Sequence, residues 1–308
     1  MSLTIEHTEA EGTILDGTSR GDGSGDVVKA LGWRWSRQIT SWYIPRSRDV
    51  PPKRHLIART ADALRAAGFD VDVVVDATID DRQDAEARRA ERAQDRAQRL
   101  TAKADAAQQR ADAHHDKAEQ ISHRFVQGQP ILIGHHSQAS AERDAERIRR
   151  SITASVEEQQ RAHQARDSAA IAAAATDTRN TPTVVAGRID RLGAQLRREE
   201  RDLAHYDGRG ADPDSVRRLA MIESIDFLRA NIDHWQAVRD YQIATGTATN
   251  YSAATVHKGD AVQIGGTWYR VARANTKTVS VQTGHSWTRK TPWHNVKDHR
   301  PADHEATR

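Results

Sequence analysis

The chain has 308 residues, a formal net charge of only +3, 29% charged and 5% aromatic residues. Such a length suggests two or three units, and the low aromatic content excludes one large compact core, so an elongated chain is expected. No cysteine is present, which excludes disulfides, thiolate zinc sites and cysteine nucleophiles and favours a reducing, cytoplasmic setting.

No apolar run approaches the roughly 20 residues of a membrane helix, and no basic stretch followed by an apolar one opens the sequence, so neither embedding nor export is expected. Residues 1–78 read as a small α/β domain. Leu3-Thr4-Ile5 and Thr13-Ile14-Leu15 are short strands, and Gly21-Asp22-Gly23-Ser24-Gly25 reads as a flexible turn, with a phosphate cradle as the alternative. A helix follows from Asp26. Trp33 and Trp35 are placed on one face of a strand, Trp42 and Ile44 on one face of its hairpin partner, with Gln38–Ser41 as the turn. Pro51-Pro52 opens a helix that Gly68 stops, and Phe69–Val75 is a final strand.

Residues 79–180 predict a long antiparallel helical hairpin. Its first arm carries a seam of Ala90, Ala93, Ala97, Leu100, Ala104, Ala107, Ala111, His114, Ala118, Ile121 and Phe125, in alternating steps of three and four. The second arm repeats that rhythm from Ala141 and Ala145 through Ile148, Ile152, Ser155, Gln159, Ala162, Arg166, Ala169 and Ala173. Between them lies Gly128-Gln129-Pro130-Ile131-Leu132-Ile133-Gly134-His135-His136-Ser137, an apolar tip that needs cover. Residues 181–245 predict a second helical pair, opened by Thr181-Pro182 and by Asp212-Pro213. Residues 252–300 read as strands Val256–Ile264, Thr267–Arg273 and Lys277–Gln282 of a small SH3-like β-barrel, and 301–308 as a disordered tail. The predicted class is therefore α+β, multidomain.

The tip, followed by Arg143-Asp144 and Glu146-Arg147-Ile148, resembles the signature of domain-of-unknown-function family 3560. Asp26–Ser36 and Trp42–Asp49 resemble the amino-terminal part of its actinobacterial members. The resemblance implies an association with plasmids, phages and conjugative elements and lends no activity. Where members commonly carry an acidic residue after His-His-Ser, this chain has Gln138.

Charge is unevenly distributed. Between Val27 and Thr60, eight cations face the single acid Asp49 and are interleaved with Trp33, Trp35, Trp42 and Tyr43. Between Val256 and Arg300, eight cations face only Asp260 and Asp298, again among aromatics. Cations neutralise phosphates and aromatic faces stack on bases, so DNA or RNA is the expected partner. The contacts assigned to it are Arg34, Trp35, Arg37, Tyr43, Arg46, Arg48, Arg273, Lys277, Arg289 and Lys290. At the tip, His135 and His136 are candidate catalytic bases, Ser137 and Arg143 candidate anion contacts, and His123, His135, His136 and Asp144 a candidate set for a divalent metal. The leading expectation is a nucleic-acid-binding accessory protein of a mobile element. The alternatives are a His-dependent, metal-assisted enzyme on nucleotides or nucleic acid, and a coiled-coil scaffold that associates with itself or with protein partners.

Overall fold

A computed structural model describes residues 2–123, 131, 133–210 and 212–302. The expectations placed on Phe125, Gly128–Pro130, Leu132 and the tail beyond 302 lie outside the described residues. Two compact units result: residues 87–179, and residues 1–86 together with 180–308.

The amino-terminal part of the larger unit is a mixed five-stranded sheet of order β3-β4-β2-β1-β5. Its strands are β1 (Ser2–Thr8), β2 (Gly12–Asp16), β3 (Arg34–Ser36), β4 (Ser41–Tyr43) and β5 (Asp70–Val75). Period-two alternation puts Leu3, Ile5 and His7 of β1 on the covered face, where Val28 of α1 (Ser24–Ala30) and Ile57, Ala61 and Leu64 of α2 (Arg54–Ala66) join them in one core. Burial pushes the His7 ring below its ordinary pKa, and its Nδ1 meets the Thr13 hydroxyl at 2.9 Å. Trp33 differs from expectation. It precedes β3, its N–H donates to the Val28 carbonyl, and its indole Nε1 donates to Thr60 Oγ1 at 3.0 Å in the core. Trp35, by contrast, is 46% exposed. The turn that closes α1 captures the first tryptophan before the strand begins.

The second helical pair, α6 (Pro182–Asp207) and α7 (Val216–Ala244), belongs to this unit. Its second helix begins at an N-cap of Ser215, which accepts from Arg218 N–H, rather than at Asp212-Pro213. Val216 and Leu219 consequently sit on the exposed first turn. Arg188 of α6 lies buried with its guanidinium 3.9 Å from the Trp235 ring centre. Toward the amino-terminal sheet, Arg54 Nε donates to both oxygens of Glu223 at 2.8 and 2.9 Å. Arg82 pairs with the buried Glu9 and lies 5.1 Å from the Phe227 ring centre.

A second sheet of order β10-β6-β7-β8-β9 completes the unit. It comprises β6 (Ala261–Ile264), β7 (Thr267–Ala274), β8 (Thr278–Gln282), β9 (Thr288–Pro292) and β10 (Val296–Arg300) around a valine-rich core with Trp293. Gly265 and Gly266, both at positive φ, make the tight β6–β7 turn. Two expectations change. The first strand starts at Ala261, because Asp260 stops it by turning its carboxylate onto His257 N–H (2.7 Å), Ala302 N–H (2.9 Å) and His299 Nε2 (2.8 Å). The sheet is also not closed into a barrel: β9 and β10 are its two edges.

The smaller unit holds most of α3 (Arg82–Ser122), all of α4 (Gln138–Ala173) and the short α5 (Ala175–Arg179). α3 and α4 run antiparallel, with Arg110 Nη2 on Glu158 Oε2 at 2.9 Å, Ser155 Oγ donating to the Ala111 carbonyl at 2.9 Å, and Arg166 reaching Gln108 at 3.2 Å. On α3 the predicted seam is buried at Ala104, Ala107, Ala111, Ala118 and Ile121, while Ala90, Ala93, Ala97, Leu100 and His114 are half-buried. On α4 every second position shifts back by one, to Ser151, Glu158, Ala165 and Ala172 in place of Ile152, Gln159, Arg166 and Ala173. An alanine seam brings backbones close, and only small or hydrogen-bonding side chains fit against it. Ile152 therefore faces outward, 48% exposed. Methyl burial of this kind contributes modestly at roughly 25 cal/mol per Å².

Candidate nucleic-acid interface

The β3–β4 hairpin sorts its side chains by strand alternation. Trp35 pairs with Trp42 and Arg34 with Tyr43, so the tryptophans share one face and Arg34 and Tyr43 the other. The two indoles meet edge to face, with centres 5.7 Å apart and planes at 70°. Beyond β4 the chain bends through a loop that carries Arg46 and Arg48. Thr13 N–H donates to the buried Ser47 Oγ at 2.8 Å, and that hydroxyl donates to the Ile44 carbonyl at 2.8 Å. Gly12, at φ 77°, permits the approach, since a Cβ there would stand 2.5 Å from Ser47 Oγ.

The cations of this region fall into two groups. Arg48 is engaged, with Nη2 on Glu11 Oε2 and Nε on the Glu11 carbonyl, both at 2.9 Å. Arg34, Arg37 and Arg46 are exposed and form no ion pair among the described residues. Tyr43, Arg46 and Arg48 line a cavity of about 390 Å³ with Ser36, Ile39 and Glu11. Farther along the open sheet face, Glu6, Asp70 and Asp72 are exposed beside Val74. The cations thus occupy one end of the sheet rather than its whole face.

On the carboxyl-terminal sheet, Arg273, Ser280 and Lys290 lie in one row across β7, β8 and β9. Arg273, Lys277 and Lys290 are exposed and form no ion pair among the described residues. Arg289 sits with its guanidinium 5.2 Å from the Tyr269 ring centre, and Arg300 4.1 Å from that of Trp268. A planar guanidinium stacked this way keeps its edge N–H groups directed outward.

The helical tip is different in character. His135 and His136 are exposed, with ring centres 4.0 Å apart. His135 Nδ1 stands 2.7 Å from Ser137 Oγ, so Ser137 holds the N-cap position of α4 without capping it by its side chain. Gln138 instead ties down the turn before the helix, its Oε1 accepting from Gly134 N–H at 2.7 Å while its Nε2 donates to Glu142. Arg143 donates to the Ala139 carbonyl of its own helix. Asp144 pairs with Arg147 at 3.2 Å, and His123 stands 3.9 Å from Glu119. Among the described residues no three His, Asp or Glu side chains converge to hold a metal ion, so His123, His135, His136 and Asp144 are not assembled into a ligand set. At the tip, Ile131 is 36% and Ile133 91% exposed.

The glycine-rich loop is not the flexible turn expected from its composition. Asp22 pins it, accepting from Ser19 N–H at 2.7 Å and from Ser24 N–H and Oγ at 2.8 and 2.5 Å. Burial works against the Asp22 carboxylate, yet these hydrogen bonds hold its pKa below the ordinary value. Gly21 and Gly23 sit at φ 86° and 90°. The loop leans over the hairpin and closes a slot of about 430 Å³ against Trp35 and Trp42. An Asp flanked by serines at spacings of three and two was the available signal in the sequence.

The family model for the domain of unknown function DUF3560 matches residues 88–207. That span takes in the helical unit and α6 and stops short of both sheets. No curated protein and no solved structure matches the chain. No helix among the described residues is long and apolar enough to cross a membrane.

Proposed function

We propose that the protein binds nucleic acid through the basic end of its amino-terminal sheet and the outer face of its carboxyl-terminal sheet. The observation that carries this reading is the set of six exposed cations, Arg34, Arg37, Arg46, Arg273, Lys277 and Lys290, without ion pairs among the described residues in a chain whose helices pair their charges densely. Unpaired cations beside exposed aromatic rings supply phosphate neutralisation and base stacking together. An accessory role in a mobile element rests on the family resemblance. The strand order of the second sheet, with a 3-10 turn at Trp293–Asn295 before its last strand, fits an open SH3-like barrel. The test is fluorescence anisotropy with short single- and double-stranded DNA and RNA across a salt series. Joint replacement of Arg34, Arg37, Arg46 and Arg273 by Ala should lower the salt slope by about 0.9 for each duplex phosphate that is no longer neutralised.

A further inference from the structure

From the slot between the glycine-rich loop and the two tryptophans, we infer that the amino-terminal domain takes one unpaired nucleobase of a single strand, stacked on Trp35. This deepens the nucleic-acid reading and rests on it. Trp35 is 46% exposed although it shares the covered face of the sheet with Trp42. Core packing does not account for so large an apolar ring left open at a cavity. Trp35 and Trp42 meet edge to face rather than stacked, so Trp42 covers at most one face of the Trp35 indole. The opposite wall is preorganised: Asp22 fixes the loop, and Gly25 lies so close on Trp42 that a Cβ would stand 3.1 Å from Cζ2.

The lining selects the occupant. Two indoles give apolar walls for a flat ring, and Ser19 and Asp26 at the rim offer hydrogen-bonding groups to the edge of a base. Arg20 also lines the slot and is exposed, and Arg37 follows Trp35 by two residues, exposed and with no ion pair among the described residues. This charge suits the phosphates on either side of a bound base. The volume of about 430 Å³ accepts a base with its sugar. A base inside a duplex is stacked and paired and cannot enter, so single strands are the class of ligand.

The experiment uses the full-length chain, a labelled oligothymidylate and a duplex of equal length. Trp35→Ala should weaken single-strand binding by about tenfold, the usual order for removing one base–aromatic stack. Trp35→Phe should restore most of it, and duplex affinity and salt slope should stay at wild-type values. Intact single-strand binding in Trp35→Ala, together with weakened binding in the arginine variants, overturns the slot and leaves the nucleic-acid reading standing. Equal weakening on single strand and duplex overturns it too. Absence of binding to any nucleic acid by the wild type removes both readings at once.

Discussion

Asp260 provides a quantitative check on the carboxyl-terminal sheet. Its carboxylate is buried and accepts from His257 N–H, Ala302 N–H and His299, tying the entry to β6 to the chain just beyond β10. Burial alone raises such a pKa, but the two backbone N–H groups and the histidine outweigh it and bring the carboxyl from 3.8 to about 2. At about 1.36 kcal/mol per tenfold change in proton affinity, that difference corresponds to about 2 kcal/mol of folding stability. The folded pKa lies below the unfolded one, so this contribution is complete above the unfolded value of 3.8 and disappears as pH falls through it toward about 2. Asp260→Asn should therefore destabilise the sheet by about 2 kcal/mol at pH 7, because the amide offers one acceptor where the carboxylate offered two. By pH 3 about half of the gap between wild type and variant should have closed. Urea denaturation with pulsed hydrogen exchange, read on peptides spanning residues 256–302, measures the gap directly. A gap that stays constant from pH 7 to pH 3, or no gap at pH 7, would refute the clamp.

Ala107→Glu places an unpaired charge in the α3 seam and should destabilise the helical unit by about 2 kcal/mol or more, seen as a lower melting temperature by circular dichroism. Ile152→Glu should be nearly neutral in the same assay, since that side chain points outward. Glu223→Gln weakens the charge-assisted bonds to Arg54 and should cost about 1.5 kcal/mol, read as faster hydrogen exchange in α2 and α7. His135→Ala and His136→Ala should leave stability within about 0.5 kcal/mol of the parent, because both rings are exposed.

Much of the architecture follows from periodicity, and its failures have physical causes. The strands β1, β2 and β5 were legible because apolar residues alternate in them, and the α3 seam because alanine recurs in steps of three and four. The α4 seam was misplaced at alternate positions because Ile152 drew the pattern toward bulk, while packing against an alanine seam selects Ser151 and Glu158. β9 and β10 were illegible: Thr-Arg-Lys-Thr-Pro has no apolar alternation, and Val-Lys-Asp-His-Arg has one apolar residue. At the candidate interface, the clustering of cations and aromatics showed in the sequence, but their pairing did not. Only the fold separates Arg48, held by Glu11, from Arg34 and Arg46, and only the fold turns a glycine-rich loop into the wall of a slot.

The most direct test of nucleic-acid binding is the salt dependence of affinity for the wild type beside the variant lacking Arg34, Arg37, Arg46 and Arg273. Affinity that falls steeply with salt in the wild type, and less steeply in the variant, is the predicted result. Equal slopes for the two proteins, or no binding to DNA or RNA at low salt, would contradict it.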